Sequence, residues 1–586
     1  MLGKITSIDE NVVEVTLGDS LIGVKNLLNY HVIFEESNFK VVGEIKEVNQ
    51  SIIRAVLLGE ITNDKFVSGV VKRPSLDSNC RIIQKAELDI LIGNTTAGDE
   101  KKLYMGKMPL YDNYPVHIKI NDLFSHHFSI FGNTGSGKSY TVARILQNIF
   151  YNTKDVPKNA RIFIFDAYGE YHHAFSKMKD ASPNLNFKTY TTNLTFPDTE
   201  IMRIPLWLLG VDDIALLLDA DNHIQLPIIE KALRLVSVFA REEKNVIAYK
   251  NDIIARALLD ILYSGSPAGQ IRDHLTAVLT SFKTADLNLD TKLIQPGYIR
   301  TLRQCLLIDK DGKLHEIQLV TEFISQFIKE GLDLELPDGT YPYTLNHLKE
   351  AFDFALISEG VLNSDKVYDY ANMLKVRLHS LINSSYQQYF NCEEFLTKEQ
   401  YVRKLLTSTD GGNAQVVNFN INYIDDRFAK VITKIYAKIM YDFVVSLGER
   451  ASFPIHIVLE EAHRYVQNDN DRFLLGYNIF DRITKEGRKY GILLGLISQR
   501  PSELSETALS QCSNFLIFKM VHPQDTAYIK NMVPNITNEI VEKVKILQPG
   551  TCVAFGDAFK IPTIISFDYP DPPPESHNAN ISKEWF

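Results

Sequence analysis

The sequence has 586 residues, which is too long for one hydrophobic core and predicts two to four domains. Its composition, 45% apolar and 23% charged, is that of an ordinary globular protein, and the net charge of −10 argues against a surface coated with basic residues for nucleic acid, although it allows a basic lining inside a pore. Five scattered cysteines without a C-x-x-C pair, the lack of a leader-like start and the lack of an apolar run of about 18 residues predict a reduced, cytoplasmic protein without a membrane span.

The first 95 residues are predicted to form a small all-β domain. Short segments rich in β-branched residues alternate with turn signals such as Asn49-Gln50. The predicted strands are Val12–Leu17, Val41–Val48, Ile52–Leu58 and Phe66–Lys72. Evenly spaced short strands favour a small closed barrel. No pattern in this segment indicates chemistry, so partner binding or assembly and a purely structural role both stay open.

A phosphate-binding loop organises the next segment. The buried-strand pattern Phe128–Phe131 precedes Gly132–Ser139, which has the spacing G-x-x-x-x-G-K-[ST], and an amphipathic helix follows. Glycines let such a loop turn its N–H groups inward around an anion, and the helix N-terminus adds partial positive charge. Lys138 is predicted to reach the β- and γ-phosphates, and Ser139 to hold Mg²⁺. The alternative is a glycine-rich turn that only caps a helix. The predicted nucleotide-binding residues are Gly132, Asn133, Thr134, Gly135, Ser136, Gly137, Lys138, Ser139 and Tyr140.

A second buried-strand pattern, Ile162–Phe165, ends in an acidic residue, Asp166. Because ligands bind at the carboxyl edge of open α/β sheets, Asp166 and Glu170 could face the nucleotide or a neighbouring subunit. Asp166 could instead cap the turn, with Gly169 supplying a special backbone angle. The sequence leaves both interpretations open.

The middle of the chain is predicted to be a helical insertion between the two halves of the α/β domain. Apolar residues recur there at steps of three and four, with breaks such as Ser264–Gly269. The predicted helices are Leu226–Arg241, Val246–Tyr263, Leu319–Lys329, Thr344–Ile357 and Lys366–Ile382. We expect the leucines and isoleucines to pack in a core and the basic residues to lie on solvated faces.

The α/β pattern returns after the insertion and brings an acidic pair. The helical pattern Asp426–Leu447 leads to the strand pattern Ile455–Leu459, which ends in Glu460 and Glu461. Glu460 is predicted to hold the water shell of Mg²⁺, and Glu461 to polarise the attacking water.

A further buried strand, within Ile483–Ser498, ends at Gln499 on the same edge of the sheet. Gln499 has the chemistry to sense the γ-phosphate or to position water. Arg488 and Arg482 precede this strand and could serve as arginine fingers, in their own site or a neighbour's. The alternative for both is a solvated arginine that favours the C-terminal dipole of a helix.

The end of the chain is predicted to form a β-hairpin, Leu547–Phe567, with its turn near Gly556-Asp557. The remaining residues, Tyr569–Phe586, are Pro-rich and polar, which indicates an extended arm. The aromatic pair Trp585-Phe586 suggests that this arm docks on a neighbouring subunit.

Taken together, these motifs resemble the HerA family of hexameric ATPases, which are related to the FtsK-type DNA translocases. The resemblance is carried by the barrel-like start and by GNTGSGKS, FDAYGEY, RIPLWLL (Arg203–Leu209), LEEAHRYV, EGRKYG and SQRPSEL. It implies an α/β fold: a RecA-like P-loop ATPase core with a small N-terminal β-barrel (HAS-barrel) and a large helical insertion. The implied divisions are the barrel at 1–95, the first half of the core at 96–206, the insertion at 207–410, the second half at 411–568 and the arm at 569–586.

The resemblance also implies roles for individual residues. Lys138 and Ser139 would bind phosphate and Mg²⁺, Glu461 would be the catalytic base, Gln499 the sensor and Arg488 a finger acting in trans. The implied cofactors are ATP and Mg²⁺. The family usually has Asp first in its acidic pair, and this chain has Glu at position 460. That departure keeps the charge and lengthens the arm of the side chain.

The function implied by the resemblance is a ring-forming, ATP-dependent double-stranded DNA translocase or helicase, a homo-hexamer with duplex DNA in its pore. In archaea the family works with a nuclease in DNA end processing. Bacterial members often accompany an effector, such as a sirtuin-like NAD hydrolase or a nuclease, in antiphage defence. One alternative is an ATPase scaffold that assembles and gates an effector through its N-terminal barrel without processive translocation. Another is a secretion-type ATPase, against which the lack of a membrane segment counts.

Overall fold

The computed structural model describes most of the chain. The described residues are 2–18, 27–93, 101–151, 156–178, 182, 185–193, 195, 199–241, 243–329, 341–360, 365–408, 411–533, 536, 538–576 and 580–585. The domain boundaries predicted at 95/96 and 410/411, and Phe586 at the end of the arm, lie outside these residues.

The described residues form 21 strands and 21 α-helices, which we number in chain order. The strands are β1 Gly3–Asp9, β2 Val12–Leu17, β3 His31–Glu35, β4 Lys40–Asn49, β5 Ile52–Thr62, β6 Lys65–Ser68, β7 Asn79–Ile82, β8 Lys102–Met108, β9 Tyr114–Lys119, β10 Phe128–Phe131, β11 Ile162–Asp166, β12 Phe187–Thr191, β13 Glu200–Ile201, β14 Lys292–Gln295, β15 Tyr298–Thr301, β16 Val416–Asn420, β17 Ile455–Leu459, β18 Ile492–Ser498, β19 Asn514–Phe518, β20 Thr551–Gly556 and β21 Phe559–Ser566. The helices are α1 Lys85–Ile92, α2 Ile120–Phe124, α3 Lys138–Phe150, α4 Tyr171–Ser176, α5 Val211–Leu217, α6 Gln225–Phe239, α7 Lys244–Leu262, α8 Ala268–Ser281, α9 Leu302–Cys305, α10 Ile317–Ser325, α11 Leu345–Gly360, α12 Asp365–Ile382, α13 Lys398–Leu405, α14 Asp426–Ser446, α15 Asp471–Leu475, α16 Ile479–Arg482, α17 Arg488–Tyr490, α18 Glu506–Ser510, α19 Pro523–Met532, α20 Asn538–Lys545 and α21 Ile581–Glu584.

The N-terminal strands close into a barrel, as the sequence predicts. Their order is β2-β1-β7-β3-β4-β5-β6, and an additional pairing of β2 with β5 closes six of them into a ring, with β6 on the outside of β5. Alternate residues of β2 and β5 are buried, and β-branched side chains such as Val13, Val15 and Ile53 fill the interior. The sequence predicts β2, β4, β5 and β6 but not β1, β3 or β7.

The second sheet of the structure positions the candidate site. Its twelve strands lie in the order β13-β12-β16-β11-β17-β18-β10-β19-β20-β21-β8-β9. The seven strands from β12 to β19 are parallel, and the pairs β19–β20, β20–β21, β21–β8 and β8–β9 are antiparallel. Because β18 lies between β10 and β17, the carboxyl ends of these three strands are adjacent at one edge.

The parallel strands are continuous apolar runs because helices cover both faces of the sheet. All residues of β10, β11 and β18 are buried. On one face, Phe128 and Ile130 pack with the apolar side of α3, including Val142 and Leu146. The strand Phe128–Phe131 was predicted from its continuous apolar run, and it is confirmed as β10.

By its internal contacts the chain divides into two compact units. The first takes in residues 1–200, 403–469 and 479–586, and holds the barrel and the twelve-stranded sheet except for the last residue of β13. The second takes in 201–402 and 470–478 and is mainly helical. Within it the five predicted helices are confirmed as α6, α7, α10, α11 and α12, with shifts of a few residues at their ends. The structure adds α8 and the β14–β15 hairpin, which the sequence analysis did not predict.

The predicted C-terminal hairpin is confirmed as β20 and β21, with Gly556 at a φ of +123° in its turn. Among the residues that the structure describes, no helix is long and apolar enough to cross a membrane. The predicted fold class is confirmed: an α/β P-loop core of the RecA-like type with an N-terminal barrel and a large helical insertion. The residue bounds that the sequence assigns to these parts stay predictions.

Candidate functional site

The glycine-rich segment predicted from sequence forms a tight loop between β10 and α3. Gly135 and Gly137 have φ angles of +74° and +100°, which only glycine adopts without strain. A Cβ at Gly137 would lie 2.9 Å from the backbone nitrogen of Gly550, so this position also lacks room for a side chain. Gly550 supports the loop by donating its N–H to the carbonyl of Ser136 over 2.9 Å. The conformation of the loop therefore depends on close contacts between backbone groups, which leave no room for a side chain at position 137.

The ammonium group of Lys138 lies inside this loop. Its Nζ donates to the carbonyl oxygens of Gly132 at 2.8 Å and Asn133 at 3.1 Å. Burial lowers the pKa of Lys138, while the charges of Glu461, Glu460 and Glu170, in decreasing order of effect, act to raise it. A buried lysine with only two carbonyl acceptors retains strong capacity to bind an anion.

Glu460 lies beside the first turn of α3, as the two sequence motifs predict. The Ser139 hydroxyl donates to Oε1 of Glu460 over 3.1 Å. Oε2 of Glu460 is buried and has no hydrogen-bond partner. Burial raises the pKa of Glu460 well above its usual value, and the neighbouring charges of Asp166, Glu170 and Glu461 raise it further. A buried carboxylate oxygen without a partner, next to a serine hydroxyl, fits a divalent cation.

Glu461 follows with an unusual backbone conformation, at a φ of +48°. Such angles cost a non-glycine residue free energy and occur mainly where the surrounding structure imposes them, often at functional sites. Oε1 of Glu461 accepts a hydrogen bond from Nε2 of Gln499 at 2.8 Å. Burial raises the pKa of Glu461, and the charge of Lys138 opposes that rise.

Gln499 links the acidic pair to the phosphate-binding loop. Its Oε1 accepts a hydrogen bond from the Thr134 hydroxyl, while its Nε2 donates to Glu461. The strand order explains this contact, because Gln499 directly follows β18, which lies between β10 and β17. The structure thus brings Lys138, Ser139, Glu460, Glu461 and Gln499 together at one edge of the sheet.

The structure distinguishes the two acids of the FDAYGEY segment. The carboxylate of Asp166 accepts the backbone N–H groups of Gly169, Glu170 and Tyr171 at 2.7, 3.0 and 2.9 Å. Asp166 therefore caps the turn after β11, and Gly169 takes a φ of +75° in that turn. Glu170 instead lies beside the site, with its Oε2 buried and without a hydrogen-bond partner. Burial raises the pKa of Glu170, the charge of Asp166 adds to that rise, and the charge of Lys138 opposes it.

The two candidate arginines do not lie with these residues. Arg488 is exposed on α17, which precedes the amino end of β18, and its charge acts on His127, just before the amino end of β10. β18 spans about 20 Å, so Arg488 and the phosphate-binding loop lie at opposite edges of the sheet within one chain. Arg482 lies with its guanidinium 5.0 Å from the ring centre of Tyr441 and 3.8 Å from the carboxylate of Glu486.

Several known proteins are similar to this chain in sequence. A sequence model described as "Helicase HerA, central domain" matches residues 103–328. The DNA double-strand break repair helicase HerA of Sulfolobus acidocaldarius is 24% identical over 583 residues, covering 97% of this chain and 90% of that protein. The protein of the same name from Pyrococcus furiosus is 22% identical over 570 residues, covering 94% and 85%. The chain is thus similar to HerA helicases over nearly its whole length.

These similarities confirm the prediction that the chain is an ATP hydrolase. Among solved structures, VirB4 of Thermoanaerobacter pseudethanolicus aligns with a TM-score of 0.41 at 14% identity, covering 81% of this chain and 98% of that one.

The sequence did not predict two features of the site. His463 lies with Nδ1 3.1 Å from the Ser498 hydroxyl and 3.3 Å from Oε2 of Glu461. His463 lies in the LEEAH motif, two residues after Glu461, and this position in the sequence could have indicated that it belongs to the site. The second feature is the C-terminal segment from Asp568 to Ser576, which packs against α3 and α4. Its irregular, Pro-rich sequence carries no periodicity that predicts a docking site.

Proposed function

We propose that this protein is a member of the HerA family and a ring-forming, ATP-dependent double-stranded DNA translocase that serves as the motor of a complex with an effector. The observation that carries the proposal is the convergence of Lys138, Ser139, Glu460, Glu461 and Gln499 at one sheet edge. Residues more than 300 positions apart in sequence meet there with the donors and acceptors that phosphoryl transfer requires.

Each of these residues has a chemical role in this proposal. The loop N–H groups and Lys138 bind the β- and γ-phosphates of ATP. Ser139 and Glu460 hold Mg²⁺, which neutralises charge on the phosphates when bound. Glu461 accepts the proton of the attacking water, and Gln499 orients that water and responds to loss of the γ-phosphate. The raised pKa of Glu461 makes it a better proton acceptor than an ordinary surface carboxylate.

A ring of identical subunits would complete this site. Arg488 is exposed at the edge of the sheet opposite to the loop, where a neighbouring subunit in a head-to-tail ring can receive it. An arginine supplied in trans stabilises charge in the transition state and makes hydrolysis depend on assembly. We infer a homo-hexamer around duplex DNA from the family resemblance. The names of the relatives, DNA double-strand break repair helicases, support DNA as the substrate.

The effector in this proposal is a nuclease or a sirtuin-like NAD hydrolase that binds the N-terminal barrel, in DNA end processing or antiphage defence. Three large apolar side chains on β6 and the turn after it, Val67, Val71 and Leu76, are exposed on that barrel. These residues lie in one short segment of the sequence, and contiguous exposed apolar surface often marks a protein interface. The same feature favours a second candidate function, an ATPase scaffold that gates an effector without processive translocation.

The experiment that tests the proposal compares ATP turnover with and without long duplex DNA, for the wild type and for Lys138→Ala, with the assembly mass measured in parallel. We expect turnover by a six-subunit assembly that rises on adding duplex DNA and is lost in the variant. Turnover that ignores DNA would favour the scaffold. Turnover that survives in Lys138→Ala would exclude the proposed site.

A further inference from the structure

The segment Asp568–Ser576, which we call the C-terminal strap, is fixed to the body of the first unit along its length. At its start, the Asp568 carboxylate accepts hydrogen bonds from Lys107 Nζ and the Tyr104 hydroxyl, both at 2.7 Å. Gln147, a buried residue of α3, donates to the carbonyl of Pro572 at 2.7 Å and accepts the N–H of Asp571 at 3.2 Å. The strap is therefore held by specific hydrogen bonds and not by apolar contact alone.

The far end of the strap reaches the candidate ATP site. The N–H of Glu575 donates to the carbonyl of Glu170 over 2.9 Å, and the Tyr140 hydroxyl donates to the carbonyl of Ser576 over 3.2 Å. Tyr140 directly follows Ser139 in the first turn of α3. The strap thus contacts Glu170, which lies beside the proposed phosphate and metal site, and Tyr140, which lies in the adjoining first turn of α3.

Two tyrosine rings meet between the strap and this helix turn. The centres of the Tyr140 and Tyr569 rings are 5.1 Å apart, with 41° between the ring planes. Tyr569 is 68% exposed, although the residue before it is anchored by Asp568 and the segment after it by Gln147. The chain therefore holds an aromatic face in a fixed position and leaves it open to solvent beside the P-loop helix.

The position of this face relative to the proposed triphosphate site suggests its purpose. Glu461 and Gln499 mark the γ-phosphate end of the site, since they would act on the attacking water. The α-phosphate and the nucleoside attached to it must then extend in the other direction, past the first turn of α3, where Tyr140 and Tyr569 lie.

We propose that the C-terminal strap is the nucleoside-binding wall of the ATP site, in which the Tyr569 ring, backed by Tyr140, stacks on the nucleobase. This inference rests on the proposed function, because it takes the loop at Lys138 as the triphosphate site. Stacking accepts any nucleobase, since every base has a π-face. The wall therefore adds affinity for the nucleoside part of ATP and discriminates little between ATP and GTP.

The test measures the binding of two probes to the full-length protein by calorimetry: a non-hydrolysable ATP analogue and inorganic tripolyphosphate. For Tyr569→Ala we expect affinity for the ATP analogue to fall about tenfold, the usual scale for losing an aromatic platform under a base. Affinity for tripolyphosphate should stay unchanged. Tyr569→Trp keeps a stacking surface and should retain wild-type affinity for both probes.

Two further variants make the outcomes distinguishable. Tyr263→Ala removes a tyrosine of similar exposure, 70%, from the second unit and should change neither affinity. Lys138→Ala should weaken the binding of both probes, because it removes a contact to the phosphates that they share. If the wild type binds neither probe, the proposed function fails. If the wild type binds both equally well, only the strap proposal fails.

The strap proposal is also overturned if Tyr569→Ala leaves the affinity for the ATP analogue unchanged, or lowers both affinities equally. If Tyr569→Ala changes the assembly mass but not the affinity for the ATP analogue, the Tyr569 side chain contacts a neighbouring subunit and not the nucleobase. Hydrogen exchange gives a second readout on the wild type: the ATP analogue should slow exchange in residues 568–576, and tripolyphosphate should not. Equal protection by both probes would contradict a nucleoside contact.

Discussion

Nε2 of Gln499 donates a hydrogen bond to Oε1 of Glu461 over 2.8 Å, and Oε1 of the same amide accepts one from the Thr134 hydroxyl. One side chain at the end of β18 thus joins the phosphate-binding loop to the candidate catalytic base. We expect a phosphate that binds in the loop to compete for the Thr134 hydroxyl. A rotation of the Gln499 amide that followed would break or weaken its hydrogen bond to Glu461. The site therefore has a direct route by which the state of the γ-phosphate can alter the base.

Replacing Glu461 by Gln should separate binding from hydrolysis. The variant keeps a group of the same size that can still pair with Gln499, but it loses the proton acceptor. We expect turnover to fall by at least about 100-fold, the usual contribution of a general base, while ATP still binds. ATP turnover and calorimetric binding together check this. The same change at Glu542, exposed on α20, is the matched control and should leave turnover unchanged. Wild-type turnover in Glu461→Gln would exclude Glu461 as the base.

Gly137→Ala should damage the phosphate-binding loop through its backbone. The new Cβ would meet the backbone nitrogen of Gly550 at 2.9 Å, at a φ of +100° that L residues rarely adopt. We expect ATP affinity to fall at least tenfold, because the strain, about 1–3 kcal/mol, is relieved only by moving the N–H groups that face the phosphates.

Gly269→Ala provides the contrast for this prediction. Gly269 lies in the first turn of α8, and the heavy atom nearest to its added Cβ would be 4.0 Å away. Alanine should there stabilise the helix by up to about 1 kcal/mol and leave ATP binding unchanged. Calorimetric binding and thermal unfolding of both variants check the pair. Undiminished ATP affinity in Gly137→Ala would mean that the loop does not bind phosphate.

His31 should make the protein less stable as pH falls. Burial lowers the pKa of His31 to about 4, and its ring nitrogen lies 2.7 Å from the Tyr111 hydroxyl. In the unfolded chain the pKa returns to about 6.5, so below that pH the unfolded state binds the proton and the folded state does not. The stability that neutral His31 contributes is complete above pH 6.5 and is lost progressively towards pH 4.

We therefore expect His31 to cost about 2 kcal/mol of the free energy of unfolding between pH 7 and pH 5. His31→Gln removes the titrating group but keeps a polar partner for Tyr111, so its midpoint of thermal unfolding should fall less over this range. Burial also lowers the pKa of His127 to about 4. His127 is present in both the wild type and His31→Gln, so its contribution to the pH dependence of stability is the same in both. His315→Gln changes an exposed histidine and should follow the wild type. Equal pH dependence in His31→Gln and the wild type would contradict the assignment.

Arg488 should act on a neighbour's site. In Arg488→Ala alone, ATP turnover should fall by at least about 1000-fold, which is the low end for an arginine finger acting in trans. Lys489 is an exposed neighbour, and Lys489→Ala should retain wild-type turnover. When Arg488→Ala and Lys138→Ala are co-expressed in equal amounts, about a quarter of the interfaces pair an intact loop with an intact arginine, so about a quarter of wild-type turnover should return. Mixed assemblies as inactive as either parent would argue against action in trans.

The sequence predicted those parts of the fold that rest on strong local patterns. The helix predicted at Asp426–Leu447 is α14, Asp426–Ser446, because its apolar residues recur with helical spacing. The strand β17, which directly precedes Glu460, was predicted from a continuous apolar run. By contrast, β1 and β7 of the barrel were missed: each has only one buried residue, so neither shows a clear alternation.

In the candidate site, too, residues in short local motifs were predicted and contacts between distant segments were not. The loop and the acidic pair were predicted because each is a short contiguous motif. The capping role of Asp166 was one of two open alternatives, since it depends on three backbone N–H groups whose direction the sequence does not specify. The link from Thr134 to Gln499 and the strap beside Tyr140 depend on tertiary contacts across more than 300 residues, which no local pattern encodes.

The most direct test of DNA translocation is displacement of a third strand from a triplex placed far along a duplex. The assembled wild-type protein should release the third strand only when ATP is present, at a delay that grows with the length of duplex it must cross, and Lys138→Ala should release none. ATP hydrolysis by the wild type without any ATP-dependent release of the third strand would contradict translocation and leave the ATPase as a scaffold.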